Sequence, residues 1–153
     1  MTILVAHQIA VRRISPKDAP LLEQMYNSYV PLEGTLGLPP RDSIRRKAWL
    51  RNLRGGVNFV AYVEGRLAGH LALLPTGGAT EMVAYVHQNY RRQGVATAMT
   101  KAAIEEARSA GFAYIWLLVA RDNIAAQRGL KKLRFRVAWQ DPHEMQFLCP
   151  VTA

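Results

Sequence analysis

The sequence predicts one mixed α/β domain that spans residues 1–153. This length fits a single domain, at about 100–200 residues per domain. Hydrophobic residues make up 50% of the chain and charged residues 20%. That is the composition of a globular protein, and it excludes disorder for most of the chain. Strand-like and helix-like segments alternate in the order β-α-α-β-β-β-α-β-α-β-β, which favours a mixed fold.

The first third of the chain predicts one strand and two helices. His7–Ile14 is rich in β-branched residues and predicts a strand. Ser15 is a favoured N-cap residue and precedes a proline, so a helix follows, with apolar residues at helical spacing up to Tyr29. Pro31–Pro40 is rich in proline and glycine and predicts a loop. Arg41–Arg54 is the second predicted helix.

The middle of the chain predicts a hairpin, a further strand and a long helix. Val57–Val63 and Leu67–Leu74 are apolar runs joined by a short turn, which is typical of a hairpin. Glu81–His87 is the next strand. Gly94 opens an amphipathic helix that ends at Gly111.

The last third predicts a strand, a short helix and two final strands. Tyr114–Ala120 is almost continuously apolar and predicts a central strand that is buried on both faces. Asn123–Leu133 is the short helix, and Phe135–Trp139 and Glu144–Cys149 are the final strands. Cys149 is the only cysteine, which excludes a disulfide scaffold.

The chain is strongly basic, with 20 Lys and Arg residues, 11 Asp and Glu residues and a formal net charge of +9. Such a charge attracts nucleic acid, an anionic membrane or a polyphosphate ligand. The strands are mostly apolar and lack interleaved basic and aromatic residues, which disfavours nucleic acid. No stretch reaches the ~18 apolar residues of a transmembrane helix, so we expect a cytoplasmic protein with no membrane partner. The many cations of Arg41–Arg54 are interpreted first as a solvated face.

The segment from Val86 to Ala96 carries the clearest functional pattern. A strand ends there, a basic turn follows, and small residues begin a helix. A helix N-terminus offers unpaired backbone N–H groups to an anion. Gly94 and Ala96 allow a diphosphate to approach the backbone, and Arg91 and Arg92 add full charges. Neither the P-loop pattern nor the Rossmann glycine pattern is present.

Arg91-x-x-Gly94-x-Ala96 resembles the [QR]-x-x-G-x-[GA] signature of the GCN5-related N-acetyltransferases, the GNAT family. Asn123 follows a predicted strand, as the family's asparagine does, and Phe135 stands where the family usually has the Phe of a Gly-Phe pair. Gln88 departs from the family, which often has a proline at this position.

This resemblance implies the acyl-CoA N-acyltransferase fold, with one mixed, mostly antiparallel sheet and helices on both faces. It implies that the strands ending near Val86 and Val119 splay apart and that acetyl-CoA lies in the gap. Backbone groups of Ala84–Val86 would pair with the pantetheine arm like an added strand, and the Val86 N–H would polarise the thioester carbonyl. Asn123 would contact the pantetheine or the last helix. The implied cofactor-binding residues are Ala84, Tyr85, Val86, Arg91, Arg92, Gln93, Gly94, Val95, Ala96, Thr97 and Asn123.

The resemblance also implies an acid and a base. An alkylammonium has a pKa near ~10.4, so a base must take its proton, and Glu81 is the candidate. The alternative for Glu81 is a solvated residue at a strand edge. The family's tyrosine acid would fall at position 130, which is Leu130 here. Tyr85, His87 or Cys149 could replace it, water could protonate the thiolate, or the chain could be an inactive relative.

The function that follows from the resemblance is transfer of an acetyl group from acetyl-CoA to a primary amine by direct attack in a ternary complex. The acceptor is a small molecule or a protein, and Glu33 could face a cationic amine. The alternative is a non-catalytic CoA-binding or regulatory relative, because Leu130 stands where the tyrosine is expected. One cysteine and four scattered histidines predict no metal site, and a homodimer is possible.

Overall fold

The computed structural model describes residues 8–32 and 37–152. Within them, seven strands form one sheet and four α-helices pack against it. The helices are α1 (Ala19–Asn27), α2 (Ser43–Leu53), α3 (Val95–Ser109) and α4 (Ile124–Lys132). The strands are β1 (Ile9–Arg13), β2 (Val57–Val63), β3 (Arg66–Thr76), β4 (Ala79–Val86), β5 (Tyr114–Ala120), β6 (Arg136–Gln140) and β7 (Glu144–Pro150).

The sheet is mixed and mostly antiparallel, as predicted. Its strand order is β1-β2-β3-β4-β5-β7-β6, and β4 with β5 is the parallel pair. These two strands pair only at Thr80 with Ile115 and at Glu81 with Trp116. The pairing stops there, although both strands continue, so they separate toward their carboxyl ends. The predicted gap between the strands that end near Val86 and Val119 is therefore present.

Helices cover both faces of the sheet, as the alternation along β4 shows. Met82 packs in a core with α3 residues such as Met99. Tyr85 packs in a second core with Tyr26 of α1 and Leu50 of α2. Since neighbouring side chains of a strand point to opposite faces, α3 lies on one side and α1 with α2 on the other.

Two partly buried ion pairs attach α1 to the sheet and α2 to α1. The Asp18 carboxylate, just before α1, accepts hydrogen bonds from the Arg12 guanidinium at 2.5 and 2.6 Å and from the Tyr62 hydroxyl at 2.5 Å. These contacts hold the pKa of Asp18 well below its usual range despite its burial. The buried Arg46 of α2 reaches Glu23 of α1 at 3.2 Å.

Two predicted elements differ from the structure. Tyr114–Ala120 is a strand, but it is not buried on both faces, because Leu118 remains 38% exposed where β5 borders the gap. The first predicted helix begins with a separate 3-10 turn, Pro16–Asp18, and its α-helical part ends at Asn27 rather than near Tyr29.

His70 of β3 is a neutral core residue. Its Nδ1 accepts a hydrogen bond from the Tyr26 hydroxyl at 2.7 Å, and its Nε2 lies 2.7 Å from Asn58 Oδ1. The Asn58 amide nitrogen already donates to two backbone carbonyls, so Oδ1 is the acceptor and Nε2 carries the proton. Burial, helped by the positive charge of Arg54, lowers the pKa of His70 to about 4.

We expect the protein to lose stability as the pH falls from about 6.5 to about 4. In this window the unfolded chain, whose His pKa is near ~6.5, binds a proton that folded His70 does not. The free energy of unfolding therefore decreases as the pH falls, by about 3 kcal/mol from this residue. The buried His87, whose pKa is also lowered, acts in the same direction.

Urea denaturation between pH 4 and 7 measures this dependence. His70→Gln keeps one donor and one acceptor but cannot titrate, so its pH dependence should be distinctly shallower. An equal slope in the wild type and the variant would contradict the assignment.

Candidate active site

A cavity of about 580 Å³ fills the gap between β4 and β5. Glu81 marks its closed end, because β4 and β5 still pair there. The start of α3 and the inner face of α4 form further walls. The described ends of the α1–α2 connection also border the cavity, through Tyr29, Leu32 and Gly37.

The backbone of β4 presents unpaired groups to this cavity. The His87 N–H donates to the Ala68 carbonyl of β3 at 2.8 Å, which sets the alternation along the strand. Every second residue of an antiparallel pair bonds its neighbour, so Tyr85 bonds β3 whereas Ala84 and Val86 point their N–H groups the other way. Those two N–H groups face the gap, where an extended ligand arm can pair with them.

Tyr85, which was predicted to bind the cofactor through its backbone, therefore directs its peptide group to β3 instead. Its side chain lies on the α1–α2 side, and its hydroxyl donates to the Gly37 carbonyl. Burial, with smaller effects of Tyr29 and Glu81, raises the pKa of Tyr85 far above its usual value. The hydroxyl thus stays protonated and holds the α1–α2 connection.

The N-terminus of α3 opens onto the cavity. Gly94 is the N-cap and adopts a left-handed conformation with φ +87°, which glycine tolerates without strain. The first helical hydrogen bond runs from the Ala98 N–H to the Gly94 carbonyl. The N–H groups of the three preceding residues are consequently without helical acceptors. These residues, Val95, Ala96 and Thr97, all line the cavity.

The basic turn before α3 divides its side chains between different tasks. Arg91 donates from Nε to the Val86 carbonyl at 3.0 Å and from Nη2 to the Val30 carbonyl at 2.5 Å. The Arg91 guanidinium borders the cavity, but its Nε and Nη2 donors are bonded to these two backbone carbonyls. Arg92 is exposed and lines the cavity. Gln93 does not line the cavity, and its amide nitrogen donates to the Asn89 carbonyl at 3.3 Å.

Asn123 and α4 form the opposite wall. The Asn123 side chain accepts a hydrogen bond from the Ala126 N–H at 3.2 Å and so caps α4 while lining the cavity. The contact with the last helix is therefore present. Leu130 also lines the cavity and carries no proton donor. Three small residues of the same helix face line the cavity and were not predicted, although their spacing fits one face of a helix: Ala125, Ala126 and Gly129.

Glu81 is the carboxylate among the described lining residues. It is partly buried, and this burial raises the pKa of its carboxyl. A carboxylate with a raised pKa accepts a proton more readily near neutral pH, which suits a general base.

The other candidate proton donors lie away from the cavity. The ring of His87 is buried, its Nδ1 accepts the Asn89 N–H at 3.2 Å, and its Nε2 lies 2.9 Å from the Ser28 hydroxyl. Cys149 is buried in the core next to α3, and burial raises the pKa of its thiol. Glu33 lies outside the described residues.

A sequence model described as Acetyltransferase (GNAT) family matches residues 22–135. The chain belongs to the GNAT acetyltransferase family. The family uses acetyl-CoA as its acyl donor, and the gap, the free β4 amides and the α3 N-terminus fit this molecule. The matched region contains Glu81, the signature and Asn123, and it ends at Phe135.

Solved structures share the fold of this acetyltransferase at low sequence identity. An N-acetyltransferase from Staphylococcus aureus Mu50 superposes with a TM-score of 0.78 and 16% identity, over 95% of this chain and 99% of the other. The ribosomal-protein-S18-alanine N-acetyltransferase of Escherichia coli gives 0.75 and 18%, over 95% and 96%. YncA of Salmonella typhimurium, solved with its cofactor acetyl-CoA, gives 0.73 and 19%, over 94% of each chain.

The described residues of the acetyltransferase contain neither a metal-binding group nor a membrane-spanning helix. Among residues 8–32 and 37–152, no three His, Cys, Asp or Glu side chains are grouped so that they could hold a metal ion. Over the same ranges, no helix is long and apolar enough to cross a membrane.

We expect Ala96→Glu to abolish acetyl-CoA binding without harming the fold. The side chain at position 96 is exposed in the first turn of α3, where a carboxylate favours the helix but occupies and repels the site of the diphosphate. Acetyl-CoA should raise the melting temperature of the wild type but not of this variant.

Ala48→Glu provides the matched control, since it makes the same change on the exposed face of α2. This control should keep the wild-type shift. If acetyl-CoA raised the melting temperature of Ala96→Glu as much as that of the wild type, the diphosphate would have to bind elsewhere.

Proposed function

We propose that this acetyltransferase transfers the acetyl group of acetyl-CoA to a primary amine by direct attack in a ternary complex. The observation that carries the proposal is the gap between β4 and β5. It brings the Val86 N–H, the α3 N-terminus and the Glu81 carboxylate to one cavity.

The chain's own groups supply the binding. The amides of Val95, Ala96 and Thr97, with the positive charge of Arg92, suit the diphosphate. The backbone of Ala84 suits the pantetheine arm as an added strand. Small side chains on α4 leave room beside that arm.

The same cavity supplies the chemistry. The Val86 N–H donates to the thioester oxygen, where negative charge develops during attack. The Val86 carbonyl accepts a hydrogen bond from Arg91, and this contact fixes the orientation of the backbone beside the Val86 N–H. Glu81 takes a proton from the amine, directly or through a water, as the C–N bond forms and the C–S bond breaks.

The family's tyrosine acid would stand at position 130 of the cavity wall. Leu130 occupies that position and cannot protonate the leaving thiolate. A free thiol has a pKa near ~8.5, so the thiolate can leave and take its proton from water. We therefore propose an active enzyme without a tyrosine acid. The acceptor is a small molecule or a protein; the E. coli neighbour is named for a ribosomal-protein alanine, but its likeness concerns the fold.

A second candidate function is a non-catalytic CoA-binding or regulatory relative. The observation that favours it is Leu130, which is buried and cannot donate a proton. This candidate predicts binding of acetyl-CoA without transfer.

Thiol release from acetyl-CoA separates the two candidates. The amine panel contains a peptide with a free N-terminus, a blocked peptide with one lysine, spermidine and propylamine. We expect release above hydrolysis with at least one amine. The non-catalytic candidate would be favoured if thiol release never exceeded hydrolysis while acetyl-CoA still raised the melting temperature.

We expect Glu81→Gln to lower kcat at pH 7 by about 100-fold or more, because the amine then loses its base. The wild-type rate should rise with pH as Glu81 ionises, over a range displaced upward by the raised pKa of this carboxyl. The variant should lose this rise and keep its affinity for acetyl-CoA.

Glu105→Gln is the control for this change. Glu105 is an exposed residue of α3 outside the cavity lining, and its side chain is 72% exposed. Equal turnover in Glu81→Gln and Glu105→Gln would remove Glu81 from the mechanism.

A further inference from the structure

The α1–α2 connection is fastened to the turn that follows β4. The fastening joins two segments that are far apart in sequence: Ser28–Val30, after α1, and His87–Arg91, before α3. We call this set of contacts the clasp. Its hydrogen bonds run to backbone and side chains of the α1 side rather than to the N–H groups at the start of α3.

Gln88 makes the central contacts of the clasp. Its amide nitrogen donates to the Ser28 carbonyl at 2.6 Å. Its amide oxygen accepts the Val30 N–H at 2.9 Å. One side chain thus satisfies a donor and an acceptor two residues apart, as a neighbouring strand would.

Arg91 and His87 complete the clasp on either side of Gln88. The Arg91 guanidinium donates to the Val30 carbonyl and lies 5.4 Å from the centre of the Tyr29 ring. His87 Nε2 lies 2.9 Å from the Ser28 hydroxyl. Because Nδ1 of His87 accepts a backbone N–H, Nε2 carries the proton and donates it.

The clasp sets the position of a cavity wall. Tyr29 and Leu32 line the cavity from this connection, within or just beyond the clasped residues. Glu81 and Tyr85 lie on the same cavity, and Tyr85 holds the other described end of the connection at Gly37. The wall held by the clasp therefore stands on the α1–α2 side of β4, whereas α3 packs on the opposite face of the sheet.

We propose that Gln88 is a positioning residue for the amine acceptor. It holds the Tyr29–Leu32 wall so that the amine approaches Glu81 in a fixed orientation, and it does so without contacting acetyl-CoA. This inference rests on the proposed function, since it requires an acceptor that enters beside this wall. It separates the two substrates, because acceptor binding depends on Gln88 and acetyl-CoA binding does not.

The test compares Gln88→Met with Gln140→Met. Methionine matches the length of glutamine but makes neither hydrogen bond of the clasp. Gln140 is exposed on β6 and is not a cavity-lining residue, so it receives the same chemical change without touching the clasp. The probes are acetyl-CoA and whichever amine of the panel reacts fastest with the wild type.

We expect Gln88→Met to raise KM for the amine at least tenfold at saturating acetyl-CoA. Its Kd for acetyl-CoA should stay within twofold of the wild type. The Val30 amide should exchange its hydrogen at least tenfold faster by NMR, while buried amides of α1 keep their protection. Gln140→Met should resemble the wild type in all three measurements.

An unchanged amine KM in Gln88→Met would overturn the proposal, as would a parallel weakening of acetyl-CoA binding, which indicates general damage. Unchanged Val30 exchange would show that Gln88 does not hold the wall and would also overturn it. If the wild type acetylates no amine, the proposed function fails and the acceptor role of Gln88 falls with it. The exchange measurement keeps that failure distinct from a failure of the clasp itself.

Discussion

The separation of β4 from β5 is the constraint on which the rest of the structure depends. Parallel strands that stayed paired would satisfy each other's backbone groups and leave no space between them. Here the pairing ends after Glu81 and Trp116, so β4 offers free N–H groups along its outer half. The α3 N-terminus and α4 then face the same opening. In the proposed function, binding and chemistry are thus two consequences of one interruption in a sheet.

The charge of the chain acts locally rather than as a uniform field. Arg12 of β1 is bonded to Asp18 and attaches α1 to the sheet, and Arg46 is bonded to Glu23 and attaches α2 to α1. Arg91 joins the carboxyl end of β4 to the residues after α1, because it donates to the carbonyls of both Val86 and Val30. Arg92 is an exposed cation that lines the cavity just before α3. The cations of α2 are mostly exposed, which agrees with a solvated face.

Local patterns were sufficient to predict most elements and the location of the candidate site. Helical spacing found α3, whose buried face includes Met99 and Ala103. The signature predicted the helix start at Gly94, because a small residue and a helix start are both local properties. The apolar run of β5 was misleading, since a strand that borders a cavity and a strand buried on both faces have the same composition. Only the neighbouring strand decides between them.

The sequence alone determined the family resemblance, the mixed α/β fold and the turn that leads from β4 into α3. These follow from spacing within short segments, where periodicity and backbone preference act directly. Tertiary structure decided which backbone amides of β4 are free, because that depends on register with β3. It also decided that Arg91 and Gln88 hold a segment some sixty residues earlier in the chain. Such contacts depend on the packing of distant elements, which no local pattern contains.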